Sequence, residues 1–210
     1  MNVIYDTAHK TEVILRYLVP ALGCLGKLEN DKLADLVNRC RFHSVLKNQI
    51  LESPGPRQEG YLWFTIQSFC QSYNYNHLEG NKSGTRIWQK REFIFYDWSL
   101  LDGELRGDSL QILESGDIIS ISYQNVIELM DKYDDIREAI KDLSRKNAAY
   151  YHHRNLLLNL PPALRVKQFR EENRAFVNCF NQEIQAMHVN LSVRAYYNQL
   201  KKLQANTVAG

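Results

Sequence analysis

Apolar positions along the chain change their spacing three times. Up to about residue 40 they suit short helices: Val13, Leu15, Tyr17 and Leu18 recur loosely before Pro20, and Leu33, Leu36 and Val37 fall on one helical face. Two short helices are predicted, the first stopped by Pro20, whose ring has no N–H to continue the ladder. From about Phe42 to Ser122 the texture becomes short aromatic and β-branched runs, EGYLWFTIQSF, TRIWQKREFIF and DIISISY, separated by SPGP, LEGNKSG and LDGELRG. Runs of this length between turn residues predict the strands of a compact sandwich or barrel.

After Tyr123 the period switches again. Leu129, Tyr133, Ile136, Ile140, Leu143, Tyr150 and Leu157 advance in alternating steps of three and four, with Asn147 and Arg154 filling the gaps. One long amphipathic helix is predicted; at ~1.5 Å per residue it reaches about 40 Å, longer than a small barrel needs for cover. The spacing suits a seam shared with a second copy through Ile136, Ile140, Leu143, Asn147 and Tyr150, Asn147 being a polar register-setter. The alternative is a helix packed back on the strands of its own chain. Pro161 and Pro162 then break the pattern. The expected division is a first domain over 1–128, a long helix and hinge over 129–160, and a separate C-terminal domain over 161–210.

The 210 residues carry a formal net charge of only +2, too little to mark a nucleic-acid binder by itself. Its distribution changes that picture. From 161 onward there are seven basic residues and three acidic ones, a balance of +4, which leaves the rest at −2. Within this basic tail, QEIQAMHVNLSVRAYYNQLKKL has the order of a helix-turn-helix. Ala186 is small where two helices meet, Val189, Leu191 and Tyr196 can face a small core, Asn190 tolerates a left-handed turn, and Ser192 can cap the second helix. That helix would present Ser192, Val193, Arg194, Tyr197, Asn198, Lys201 and Lys202 to a major groove. Arg194 suits a guanine edge, Asn198 an adenine edge, and Lys201 and Lys202 suit phosphates.

Other chemistry is thin. Cys24, Cys40, Cys70 and Cys179 lack the close spacing of zinc or cluster ligands, adjacent His152 and His153 on a helix point apart, and His43 with His77 does not make a cupin-type metal cluster. No G-x-S-x-G, H-E-x-x-H or phosphate-binding glycine loop occurs, so catalysis is not expected. Asp6, Lys10, Glu12 and Arg16 interrupt any signal-peptide core, and no apolar run reaches ~18 residues. A cytoplasmic protein without a membrane partner is expected.

The arrangement resembles the cyclic-AMP receptor/fumarate-nitrate regulator (Crp/Fnr) superfamily of bacterial transcription factors, in particular its divergent Bacteroidetes branch. The resemblance covers nearly the full chain. It rests on ILESPGPRQEGYLWFTIQSF, TRIWQKREFIFYDWSLL, DSLQILESGDIISISYQNVIEL and AMHVNLSVRAYYNQLKK. It implies an α+β fold: an N-terminal jelly-roll sensor of cyclic-nucleotide-binding type, a long dimerisation helix, and a C-terminal winged-helix-type helix-turn-helix domain. It also implies double-stranded DNA, a second copy of the chain and RNA polymerase as partners. The family's phosphate cassette offers a Gly-Glu pair and, some ten residues later, an arginine. Here Phe95 and Tyr96 stand at the Gly-Glu positions and Arg106 at the arginine position. Loss of the hydroxyl acceptor argues against cyclic AMP and makes Arg106 read as a solvated turn residue. Trp88, Phe95, Tyr96, Trp98 and Arg106 remain candidate liners for another, unidentified small-molecule effector. The competing reading is a ligand-binding or protein-interaction module of the same fold that has lost DNA binding, with Val193 and Tyr197 where polar readers are common.

Overall fold

The computed structural model describes residues 7–23, 30–76 and 80–208; Cys24 and His77 lie outside them. In chain order the elements are α1 (Thr7–Val13), a π-helical turn (Ile14–Leu18), α2 (Val19–Ala21), α3 (Asn30–Arg39), β1 (Arg41–Val45), β2 (Ile50–Glu52), a 3-10 turn (Arg57–Glu59), β3 (Tyr61–Thr65), β4 (Cys70–Asn76), β5 (Asn81–Trp88), β6 (Phe93–Ile94), α4 (Asp97–Asp102), β7 (Ser109–Ile112) and β8 (Gly116–Ser122). Helices follow: α5 (Tyr123–Lys132), α6 (Asp134–Leu158), α7 (Pro162–Glu172), α8 (Arg174–Cys179), α9 (Gln182–His188) and α10 (Val193–Val208). They form two compact units, the described residues of Met1–Gln71 with Trp88–Asn147, and those of Ser72–Ile87 with Ala148–Gly210. The division falls inside α6, and the β4–β5 hairpin goes with the C-terminal helices.

The first unit is built on an antiparallel sheet of order β1-β8-β3-β6. Register places Phe42 and Phe64 on either side of Ile119, with Phe93 beyond Phe64, so one row of apolar side chains crosses all four strands. This row joins Leu62, Ile121, Leu36, Val126, Ile136 and Ile140 in a core under the helices. The opposite face, with Trp63 and Ile118, meets Leu110 and Ile112 of β7 in a second core that includes Cys70 and Trp88. Burial on both faces explains why DIISISY has adjacent apolar residues, Ile118 and Ile119, with Ser120 and Ile121 also buried, and not a strict alternation of apolar and polar positions. Lys32 pairs with Asp135 at 2.7 Å, and Arg39 and Lys132 both hold Asp35. Hydrogen bonds from Arg39 and then Lys132 draw the Asp35 carboxyl down to about 2.

Three sequence expectations need correction. Pro20 does not stop the first helix; a π-helical turn in which Val19 donates to the Ile14 carbonyl absorbs the missing N–H, and the helix continues to Ala21. The single long helix is two, because Tyr133 is extended (φ −131°, ψ 109°) and Asp134 and Asp135 open a new helix where acidic residues suit its N-terminus. Most consequentially, the stripe assigned to a dimer seam is covered by its own chain. Ile136 and Ile140 are buried in the core of the first unit, with Leu143 packed against it. Buried Asn147 donates through Nδ2 to Asp97 Oδ1 at 3.0 Å, and that intrachain bond removes the reason for reading it as a register-setter between chains. Tyr150, in the second unit, accepts from the Ile87 N–H and lies under the Arg86 guanidinium at 4.5 Å.

Candidate nucleic-acid interface

The second unit holds α7 to α10 and the β4–β5 hairpin, and no strand follows Ser122 among the described residues. Asn181 caps α9, its side chain accepting from the Ile184 N–H at 3.1 Å. The helix ends in a left-handed residue, Asn190 (φ +53°). Leu191 N–H reaches back to the Ala186 carbonyl at 3.1 Å and Asn190 N–H to that of Met187, the reciprocal pair of a Schellman stop. Ser192 then caps α10 by accepting from the Ala195 N–H at 3.1 Å. Turn and cap stand where the sequence placed them.

Packing beneath the turn is equally specific. Ala186, Val189 and Tyr196 are buried with Val166, Phe169 and Phe176 of α7 and α8, whereas Leu191 is only half-buried. Gln185 is the polar knot of this small core: its Nε2 donates to the Val177 and Phe180 carbonyls, and its Oε1 accepts from the Tyr196 hydroxyl at 2.7 Å and from Arg170 at 3.0 Å. Buried His188 stands edge-on to Phe176. Burial, then Arg154, pushes the imidazole down to about 3, so it stays neutral at physiological pH. Arg154 donates to the His188 carbonyl at 2.7 Å and to that of Gly84 in the hairpin. Arg165 takes the Val189 carbonyl at 3.0 Å. The last carbonyls of α9 are thus met by guanidinium groups, which suits a helix C-terminus. Sequence reading assigned no role to Gln185 or His188 and counted Arg154 and Arg165 only as seam filler and tail charge; nothing in their spacing marks a tertiary partner.

Over this core lies the face proposed from sequence. Ser192, Val193, Arg194, Tyr197, Asn198, Lys201 and Lys202 are all exposed, Val193 and Tyr197 at 48% and 46%. Positions 194, 197, 198 and 201 share one side of α10 by helical spacing. Lys201 Nζ rests 4.8 Å from the Tyr197 ring centroid.

The candidate effector residues, in the first unit, are divided between two cores, although Tyr96 and Trp98 touch. Trp88 belongs to the core between the strands and Phe95 to the core under the helices. Tyr96 is buried, its N–H donating to the Tyr123 hydroxyl oxygen at 2.9 Å, and half-buried Trp98 tilts against it. Arg106 is not a solvated turn residue. Only 3% exposed, it lies 2.5 Å from Glu52 Oε2. Glu52 Oε1 accepts from the Tyr61 N–H and from Trp63 Nε1. Arg106 also exchanges both backbone hydrogen bonds with Gly55, whose missing side chain leaves room for the guanidinium, since a Cβ there would lie 2.9 Å from Arg106 Nη2. Burial pushes the Glu52 carboxyl upward, and Arg106 opposes it. Sequence missed this pair because Glu52 lies 54 positions away. No group of three or more His, Cys, Asp or Glu side chains gathers as a metal site among the described residues, and no helix among them is long and apolar enough to cross a membrane.

No protein-family model and no curated protein matches the sequence. Solved structures do match in fold. The c-di-GMP-responsive global regulator CLP of Xanthomonas campestris superposes with a TM-score of 0.69 at 16% identity, covering 85% of this chain and 93% of that one. A transcriptional regulator of the Crp/Fnr family from Eubacterium rectale gives 0.70 at 12% identity, with 85% of each chain covered. A cyclic nucleotide-binding domain containing protein from Listeria monocytogenes gives 0.65 at 13% identity, with 90% and 91% covered. The expected fold, a β-roll followed by a helical C-terminal region, is therefore shared with these proteins.

Proposed function

We propose that this chain is a non-enzymatic, sequence-specific DNA-binding transcription regulator of the Crp/Fnr type, acting as a homodimer in the cytoplasm. The observation that carries the reading is the capped helix-turn-helix with Arg194, Asn198 and Lys201 exposed along one face of α10. Arg194 and Asn198 read base edges; Lys201 and Lys202 bind phosphates. Since Ile136, Ile140 and Asn147 are covered by their own chain, the partner protomer meets the outer side of α6, where Arg145, Ala149, His152 and Leu156 are exposed at steps of four, three and four. Two recognition helices related by a two-fold axis would read half-sites about 34 Å apart. RNA polymerase is a further partner in this reading.

The experiment is random-site selection followed by titration of the enriched duplex. Arg194→Ala or Asn198→Ala should cost ~1–3 kcal/mol on that site and relax preference at one position per half-site. Lys201→Ala should weaken all sequences alike and flatten the salt dependence. Recovery of no enriched sequence would refute DNA reading and favour the interaction-module alternative, for which exposed Val193 and Tyr197 supply an apolar contact.

The β-roll in this reading does not respond to cyclic AMP. Its candidate phosphate-binding arginine is already neutralised by Glu52, and a second anion beside that pair would meet a buried carboxylate. Calorimetry with cyclic AMP should give no saturable heat at micromolar ligand. Saturable binding abolished by Arg106→Ala without loss of folding would overturn this point.

A further inference from the structure

The β4–β5 hairpin and the helix-turn-helix enclose an open groove of about 810 Å³. One wall is hairpin, including Asn81, Lys82 and Ser83; the other includes Glu183, Ser192 and Val193. The two walls are fastened at one edge. Ser83 Oγ donates to Asn190 Oδ1 at 2.7 Å, Gly84 lies against His188 so closely that a Cβ would come within 2.5 Å of its Nδ1, and Arg154 holds the Gly84 and His188 carbonyls together. The hairpin is therefore fixed to the recognition turn as a part of the same body. Lys82 is exposed and is the only cation among the lining residues, its Nζ held 4.4 Å from the Tyr73 ring centroid. The groove opens at Ser192 and Val193, where the exposed face of α10 begins.

From this juxtaposition we infer that the groove takes the sugar–phosphate backbone of the duplex whose bases α10 reads, with Lys82 of the β-roll hairpin as the phosphate ligand. The hairpin thereby serves the helix-turn-helix as its wing, a role no strand after Ser122 fills among the described residues. Amide and hydroxyl side chains at Asn81, Ser83 and Ser192 supply neutral polar contacts suited to phosphate oxygens and sugars. Glu183, on the opposite wall, is the one acidic lining residue and limits the affinity by repulsion. The inference rests on the DNA-binding reading above and adds to it a contact from outside the C-terminal helices.

The test uses the full chain and the selected duplex. Lys82→Ala should weaken binding several-fold on cognate and unrelated sequences alike and lower the magnitude of the slope of log affinity against log salt by about two, one for each protomer of the dimer. Lys82→Arg should keep both affinity and slope, and Glu183→Gln should tighten binding. Ethylation interference should lose one sensitive backbone position per half-site in Lys82→Ala and keep the base contacts. Lys82 and Glu183 are exposed, so thermal melts should match wild type. If Lys82→Ala leaves affinity and slope unchanged while Arg194→Ala weakens binding, the wing assignment is wrong and DNA reading stands. If the wild-type chain binds no duplex, both fall.

Discussion

Replacing Arg106 by alanine should destabilise the first unit by about 3–5 kcal/mol, the usual cost of leaving one member of a buried ion pair behind. Glu52 would keep its hydrogen bonds from Tyr61 and Trp63 but lose the Arg106 guanidinium that lies 2.5 Å from its Oε2. Because burial already pushes the Glu52 carboxyl upward, an orphaned Glu52 takes up a proton more readily than in the wild type. The deficit should therefore be largest above the raised folded-state value and shrink as pH falls through it. The double change Glu52→Leu with Arg106→Met should recover most of the loss, since apolar replacement of a buried pair is often neutral. Denaturant melts of the three proteins at two pH values decide the matter. A single-variant loss below about 1 kcal/mol, the scale of an exposed pair, would mean that water reaches the site.

Comparable in size is the expected effect of Ile140→Asp. Ile140 is buried under the sheet of its own chain, so the substitution leaves a cavity and an unpaired carboxylate together and should cost about 3–5 kcal/mol. Loss of near-ultraviolet circular dichroism and a lowered melting temperature are expected, with no folded monomer. Leu156→Asp changes a residue that is 55% exposed; it should keep the near-ultraviolet circular dichroism of the folded chain, separate the protomers in sedimentation velocity and remove the concentration dependence of the melt. A folded, monomeric Ile140→Asp protein would restore the seam through Ile136 and Ile140.

Both outcomes turn on a distinction that spacing cannot make. A three-four repeat shows that a helix has an apolar face, but a neighbouring sheet and a second chain are covered by the same residue types. Asn147 sharpens the point, since Asp97, to which its side chain donates, lies fifty positions away. Arg106 was misread for the same reason: the turn-like text around it reports local backbone, whereas its burial depends on Glu52 and Gly55.

What was legible is mostly what acts over a few residues. The helix-turn-helix could be read from Ala186, Asn190, Ser192 and Tyr196 because a left-handed turn, a cap and a small contact are local requirements that particular residue types meet best. The β texture between Phe42 and Ser122 was legible because two-sided burial leaves short apolar runs with turns between them. The sequence by itself thus determined the kinds of element, their order, the exposed polar face of α10 and the concentration of positive charge at one end. Only the tertiary structure decided which partner covers the α6 stripe, that Arg106 is tied to Glu52, and that the β4–β5 hairpin joins the helix-turn-helix through Ser83, Gly84 and Arg154. Those outcomes depend on pairs dozens of residues apart, and the chain carries no local signal for them because burial and ion pairing are properties of the packed whole.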